Sequence, residues 1–168
     1  YGQLVVIEGD LCAKEDIENI FKKEKIDVVM HFAALCSVDE STKKPELYFK
    51  VNTEGTKNLL EAMQKVKVNK LIFSSTCAVY GDAKYLPINE EHPTNPKNPY
   101  GESKLLTEEE IKKSGLNYVI FRYFNVTGAD KDGEIGDSKR PSQLLVQNLV
   151  RSSLGIEPFT LTCEEVDT

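Results

Sequence analysis

Leu71-Ile72-Phe73-Ser74-Ser75-Thr76, followed after a polar, proline-rich crossing by Pro99-Tyr100-Gly101-Glu102-Ser103-Lys104, is the stretch that decides the fold. The apolar run reads as a buried strand that delivers Ser74, Ser75 and Thr76 to its C-terminal end, the edge at which open α/β sheets bind ligands. Asn98 as N-cap and Pro99 at the first helical position start a helix immediately before Tyr100. On a helix, residues i and i+4 share a face, so the Tyr100 phenol and the Lys104 ammonium can act on one point. A hydroxyl, a phenol and an ammonium at a strand mouth make a proton-transfer site.

The chemistry needs these residue types. A free tyrosine has a pKa of about 10, and using it as a base near pH 7 requires lowering it by roughly 3, about 4 kcal/mol of preference for the phenolate. A neighbouring lysine cation, aided by a bound positively charged nicotinamide, supplies that preference electrostatically. Thr76 can donate and accept along the same line and orient a substrate hydroxyl against the tyrosine oxygen.

Working outward, Leu4 to Glu8 reads as a short strand turning at Gly9-Asp10-Leu11. Lys14 to Lys25 carries Ile17, Ile20 and Phe21 at helical spacing, with lysines at its end. Asp27 to Phe32 is expected to be a buried strand, with the small Ala33 and Ala34 at its mouth. Pro45 to Val66 reads as one long helix. Asn52 and Gly55 inside it are unfavourable by propensity, so a buried contact by Asn52 and close packing at Gly55 are expected. Lys112-Lys113-Ser114-Gly115 closes the Tyr100 helix with a basic, Gly-capped turn. Asn117 to Arg122 is a further strand, Asp130 to Arg140 a charged loop, Pro141 to about Val150 a helix, and Pro158 to Thr162 a last short strand. Strands alternating with helices of crossover length imply a doubly wound parallel sheet, Rossmann-like, with ligands at its carboxyl edge.

Composition bounds the function. The 168 residues, 40% hydrophobic and 29% charged, are those of a globular protein long enough for one ordinary domain. A net charge of -6, with no basic run interleaved with aromatics, argues against a nucleic-acid surface. No apolar run approaches a membrane span. Cys12, Cys36, Cys77 and Cys163 lie far apart with no C-x-x-C pair, which favours a reducing, cytoplasmic setting. His31 and His92 have no partner at metal-ligand spacing, so no metal is expected.

Phe73-Ser-Ser-Thr-Cys-Ala-Val-Tyr-Gly81 together with Pro99-Tyr-Gly-Glu-Ser-Lys104 resembles the extended short-chain dehydrogenase/reductases that act on nucleotide sugars, and among them the 4-epimerase branch. His31-Phe-Ala-Ala-Leu35, Asn52-Thr-Glu-Gly-Thr56 and Arg122-Tyr-Phe-Asn125 match in order, so the resemblance runs from Gly9 to about Leu161. It implies NAD as cofactor and a UDP-sugar as substrate, with UDP-galactose and UDP-glucose interconverted through a 4-keto sugar. Tyr100, Lys104 and Thr76 would be catalytic. Asp10 and Leu11 would meet the adenine end of NAD, Phe32, Ala33, Ala34 and Leu35 would line the cofactor, and Asn52 would support the site. Lys104 would grip the nicotinamide ribose, with Phe124 beside the ring. Asn125, Gln143 and Leu144 would meet the sugar nucleotide, as would Thr76 and Tyr100, the substrate segment beginning near residue 126. Relatives imply a homodimer of the full-length protein through the helices at Pro45–Val66 and Pro99–Ser114.

Other readings stay open. Nucleotide-sugar dehydratases and decarboxylases share the scaffold, but the dehydratase strand ends Thr-Asp-Glu, and here Cys77 and Ala78 stand where the carboxylates would act. Cys36 and Gln143 replace the Lys and Asn of some relatives. The family's opening G-x-x-G-x-x-G turn, whose helix N-terminus receives a pyrophosphate, is not in this sequence. The expectation is therefore a fragment of a longer protein that by itself binds NAD poorly, or a truncated, noncatalytic binding module.

Overall fold

A computed structural model of the chain describes residues 4–136 and 144–159. The chain divides into two units, Tyr1–Tyr123 and Phe124–Thr168. In chain order the first contains α1 (Lys14–Lys23), β1 (Val29–His31), α2 (Val38–Lys43), α3 (Pro45–Tyr48), a π-helical turn (Phe49–Glu54), α4 (Gly55–Lys65), β2 (Lys70–Thr76), a 3-10 turn (Cys77–Val79), α5 (Pro99–Lys113) and β3 (Asn117–Tyr123). The second holds α6 (Leu145–Ser153) and the preceding loop, which turns on Asp130, whose carboxylate accepts from the Asp132 backbone N–H at 3.1 Å.

The three strands form a parallel sheet in the order β1-β2-β3. Val29 pairs with Leu71 and His31 with Phe73, while Ser75 pairs with Arg122 and Thr76 with Tyr123. Alternation along the strands then assigns the faces. Leu71 and Phe73 point into a core with Ile17 and Phe21 of α1, Leu59, Leu60 and Met63 of α4, and Ile111 of α5. On the opposite face Met30, Val119 and Phe121 are 59%, 49% and 45% exposed. Among the described residues the helices of this unit thus cover one face of the sheet. The α/β, incomplete Rossmann-like architecture expected from the sequence is the one observed.

Three local expectations need correction, and one element went unanticipated. Leu4 to Glu8 forms no strand, and Leu4 is 86% exposed. Its β propensity is local, whereas a strand needs a ladder partner, and no strand of the described residues pairs with it. The Asp27–Phe32 strand is confined to Val29–His31 and is an edge strand buried on one face rather than both. The helix over Pro45–Val66 is interrupted at Phe49–Glu54, where the Gly55 N–H reaches back five residues to the Lys50 carbonyl. Last, α2 was not foreseen, although Ser37 caps it by accepting from the Glu40 N–H at 3.2 Å, a signal present in the Ser-x-x-Glu spacing.

Other boundaries hold. Asn98 caps α5 by accepting from the Gly101 N–H at 2.8 Å, and Gly115 follows its basic end at φ +74°. A Cβ at Gly55 would sit 3.1 Å from that of Leu11, the close packing expected there. In the second unit the helix expected from Pro141 opens instead at Leu145, with extended Leu144 as its N-cap, and runs to Ser153, beyond Val150. Pro141 lies outside the described residues, as do residues 160–162 of the expected last strand, and Pro158 and Phe159 belong to no strand.

Candidate active site

The mouth of β2 is assembled from three directions. β2 supplies Ser74, Ser75 and Thr76 in consecutive positions, α5 supplies Tyr100, Ser103, Lys104 and Glu108, and the π-helical turn supplies Asn52. The first turn of α5 approaches the Cys77–Val79 turn so closely that a Cβ at Gly101 would lie 2.7 Å from the Ala78 carbonyl oxygen. Glycine at 101 therefore permits Tyr100 to reach Thr76.

The Thr76 hydroxyl neighbours the Tyr100 phenol. Burial pushes the phenol above its ordinary range, and the Thr76 hydroxyl opposes that shift. Thr76 Oγ1 also accepts from the Ala78 N–H at 3.2 Å, which fixes its rotamer. The Tyr48 ring meets Tyr100 edge-on at 6.4 Å between centroids, and the Tyr48 hydroxyl is anchored by the Ser37 N–H at 3.0 Å.

Lys104 is 3% exposed. Its ammonium donates to the Ser74 carbonyl at 2.7 Å and lies 4.6 Å from the centre of the Phe73 ring. Burial lowers its pKa to about 8, opposed by the neighbouring Cys36 and Glu108 side chains, which favour the cation. Lys104 is thus aimed at the strand carbonyl. The electrostatic lowering of Tyr100 expected from the Tyr-x-x-x-Lys spacing is not realised by these two side chains alone: the phenol lies above its ordinary value, not below. His31 stands nearby, its Nε2 2.8 Å from Thr56 Oγ1, and burial with the Lys104 charge lowers its pKa to about 4, so it is neutral at pH 7.

Asn52 joins the β1 mouth to α5. Its Oδ1 accepts from the Leu35 N–H at 2.9 Å, and its Nδ2 donates to the Leu35 carbonyl and to Ser103 Oγ, each at 3.0 Å. Its own carbonyl accepts from the Thr56 hydroxyl at 2.6 Å and the Thr107 hydroxyl at 3.1 Å. A π-helical turn at this residue leaves a backbone carbonyl available to side chains, and such turns recur at functional sites.

The remaining candidates fall into separate groups. Phe32 and Ala33 are exposed at the end of β1, with Ala34 and Leu35 half-buried behind them. Asp10 accepts from the Cys12 N–H at 2.9 Å, and the Leu11 carbonyl accepts from Asn58 at 2.9 Å. Phe124, Asn125 and Leu144 come together in the second unit, around a cavity they line with Val126 and Gln147. Gln143 lies outside the described residues. Among the described residues no cluster of metal-ligating side chains occurs, and no helix is long and apolar enough to cross a membrane.

No sequence motif assigned a role to Ser103 and Thr107, which brace Asn52, or to the pair Glu108 and Arg122. Arg122 Nε and Nη2 donate to the two Glu108 carboxylate oxygens at 2.9 and 2.6 Å, and Ser75 Oγ donates to the first at 2.6 Å.

The residues present fit the nicotinamide half of NAD. Small, accessible residues follow β1, and of the three donors of the Lys104 ammonium the Ser74 carbonyl takes one. A UDP-glucose 4-epimerase of Lactobacillus helveticus is 43% identical over 166 residues, covering 96% of this chain and 50% of that protein. UDP-arabinose 4-epimerase 1 of Arabidopsis thaliana is 43% identical over 144 residues, 83% of this chain and 34% of that protein. The crystal structure of UDP-glucose 4-epimerase from Bifidobacterium longum in complex with NAD+ and UDP is similar at a TM-score of 0.81 and 37% identity, covering 90% of this chain and 48% of that one. The chain spans about half the length of these two UDP-glucose 4-epimerases. Its sequence matches one family from residue 2 to residue 159, a span that includes the Ser-Ser-Thr strand, Tyr100 and Lys104, and the chain accordingly belongs to the NAD dependent epimerase/dehydratase family.

Proposed function

We propose that this chain carries the proton-transfer machinery of a nucleotide-sugar 4-epimerase that interconverts UDP-galactose and UDP-glucose. The observation that carries this reading is the convergence of Thr76, Tyr100 and Lys104 at the mouth of β2. Tyr100 takes the proton of the sugar C4 hydroxyl, and Thr76, beside the phenol, orients that hydroxyl. When bound, NAD would supply a hydride acceptor and donor for the sugar C4 and a cationic ring. Lys104, with a pKa of about 8, is mostly protonated at pH 7 and supplies the second cation. Lys104 would also hold the nicotinamide ribose, with Phe32 to Leu35 along the cofactor and Asp10 and Leu11 toward its adenine end. Asn52 supports the site. Phe124 would border the nicotinamide, and Asn125, Leu144 and Gln143 would contact the sugar nucleotide. Cys77 and Ala78 after Thr76 offer no carboxylate for water elimination, which disfavours a dehydratase.

The similarity to a UDP-arabinose 4-epimerase gives a second sugar to assay. The full-length protein is taken to be a cytoplasmic homodimer without nucleic-acid or membrane partners. Exposed Leu47 on α3 and Leu106 on α5, each 38% accessible, support a helix-mediated dimer, which light scattering would check.

The test compares this chain with a chimera in which it replaces the matched half of the L. helveticus epimerase. NAD binding and conversion of UDP-galactose and UDP-arabinose are measured for both. Activity in the chimera alone, with weak NAD binding by the chain alone, supports the proposal. A folded chimera that binds NAD but turns over neither sugar refutes it and favours the noncatalytic reading.

A further inference from the structure

One buried carboxylate lies outside the proton path. Glu108 is 0% exposed and sits on α5 one turn beyond Lys104. Its partners come from both neighbouring strands: Ser75 of β2 donates at 2.6 Å, and Arg122 of β3 donates to both oxygens. Lys112, on the same helix, is 3.5 Å from Oε2. Arg122 in turn stacks 4.8 Å over the Tyr80 ring. Burial pushes the Glu108 carboxyl up, but the bonds from Arg122 and Ser75 and the charges of Arg122 and Lys112 outweigh it, so the group is ionised.

The position of Ser75 gives this network its meaning. Ser74, before it, presents the carbonyl that receives Lys104, and Thr76, after it, brings its hydroxyl beside the Tyr100 phenol. Both contacts run between β2 and α5, and Glu108 is the group that fastens those elements between them. We propose that Glu108 is a positioning residue, whose carboxylate, held by Ser75 and Arg122, sets the registry of α5 on β2 and thereby the Tyr100–Thr76 and Lys104–Ser74 contacts. Its consequence for turnover rests on the epimerase reading; the positioning itself does not, and can be measured without turnover.

Around Lys104 the charged or titratable groups are Glu108 and Tyr100 on its own helix, His31 on β1 and Cys36 in the loop after it. Glu108 is the anion among them, and removing its charge lowers the Lys104 midpoint. Moving Thr76 away from the phenol, where its hydroxyl favours the phenolate, raises the Tyr100 midpoint.

The test titrates 13C-labelled tyrosine and lysine side chains of this chain by NMR, with Tyr100→Phe and Lys104→Met assigning the signals. Glu108→Gln is expected to move Tyr100 up and Lys104 down. Ser75→Ala, which keeps the charge and cuts one tie, is expected to move Tyr100 up and leave Lys104 in place. Ile111→Val, a core change on the same helix, is expected to lower the melting temperature and move neither. Unmoved midpoints in a folded Glu108→Gln, or equal movement in Ile111→Val, overturn the proposal, as does an unmoved Tyr100 in Ser75→Ala should Glu108→Gln fail to fold. In an active chimera Glu108→Gln lowers kcat about tenfold with KM unchanged, the signature of an interaction that matters in the transition state. An inactive parent chimera refutes the epimerase reading while the titrations still decide the positioning role.

Discussion

Helices α4 and α5 pack against the same face of one sheet, yet they bury opposite kinds of surface. The buried stripe of α4 includes Leu59, Leu60, Ala62 and Met63. That of α5 is Gly101, Ser103, Lys104, Thr107 and Glu108, with Ile111 as its large apolar member. Burying apolar area stabilises at about 25 cal/mol per Å2, whereas a fully partnered buried hydrogen bond contributes only about 1 kcal/mol net and a buried ion pair often breaks even. One helix therefore holds the fold together. The other places chemistry inside it and relies on its neighbour's stability.

Substitutions should separate the two helices cleanly. Tyr100→Phe in the chimera is expected to reduce turnover by roughly 10²–10⁴-fold, the usual range for general acid–base groups, while NAD binding and melting temperature stay as in the parent. Equal turnover would remove α5 from the chemistry. Met63→Ala on α4, at a site with no exposure, should cost about 2–5 kcal/mol of stability in chemical denaturation. The pH profile of activity should not move with it.

Lys104→Met offers the sharpest contrast, because function and stability should change in opposite directions. The folded pKa of about 8 lies below the ordinary 10.5, so the charged form is disfavoured in the fold. That penalty is fully present below pH 8 and is relieved as pH rises from 8 toward 10.5, where the unfolded chain binds more protons than the folded one. The variant should accordingly be more stable than the parent at pH 7, by at most about 3 kcal/mol, with the gap closing toward pH 10.5. Its activity optimum should move to higher pH, since Tyr100 then lacks a cation. A destabilised Lys104→Met at pH 7 would mean that the Ser74 bond outweighs burial. The smallest effect expected is for Asn98→Ala, which removes the α5 cap and should cost about 1 kcal/mol in thermal unfolding.

The same contrast explains what could be read from the sequence. α4 was legible from its apolar spacing, and α5 from its Asn98-Pro99 start and the Tyr-x-x-x-Lys pattern, both of which are local. The partners of Glu108 were not legible, because Ser75 and Arg122 lie 33 and 14 residues away and no spacing rule links them. Leu4 to Glu8 failed for the complementary reason: its residues favour a strand, but pairing is decided by a neighbour. Asn52 and Gly55 were recognisable as misfits in a helix, and that signal was sound. What it could not convey was that the helix itself would change its winding.

That change of winding acts as a phase joint. By accommodating one extra residue, the Phe49–Glu54 turn offsets the angular setting of α3 from that of α4, so that Tyr48 can face Tyr100 while Met63 faces the core. One residue of an α-helix corresponds to about 100° of rotation. Deleting a single residue from this turn would leave every amino acid of both cassettes intact, yet it would swing one away from its target. The spatial agreement between the mouth of β2 and the hydrophobic interior is thus encoded by a count of residues as much as by their identities.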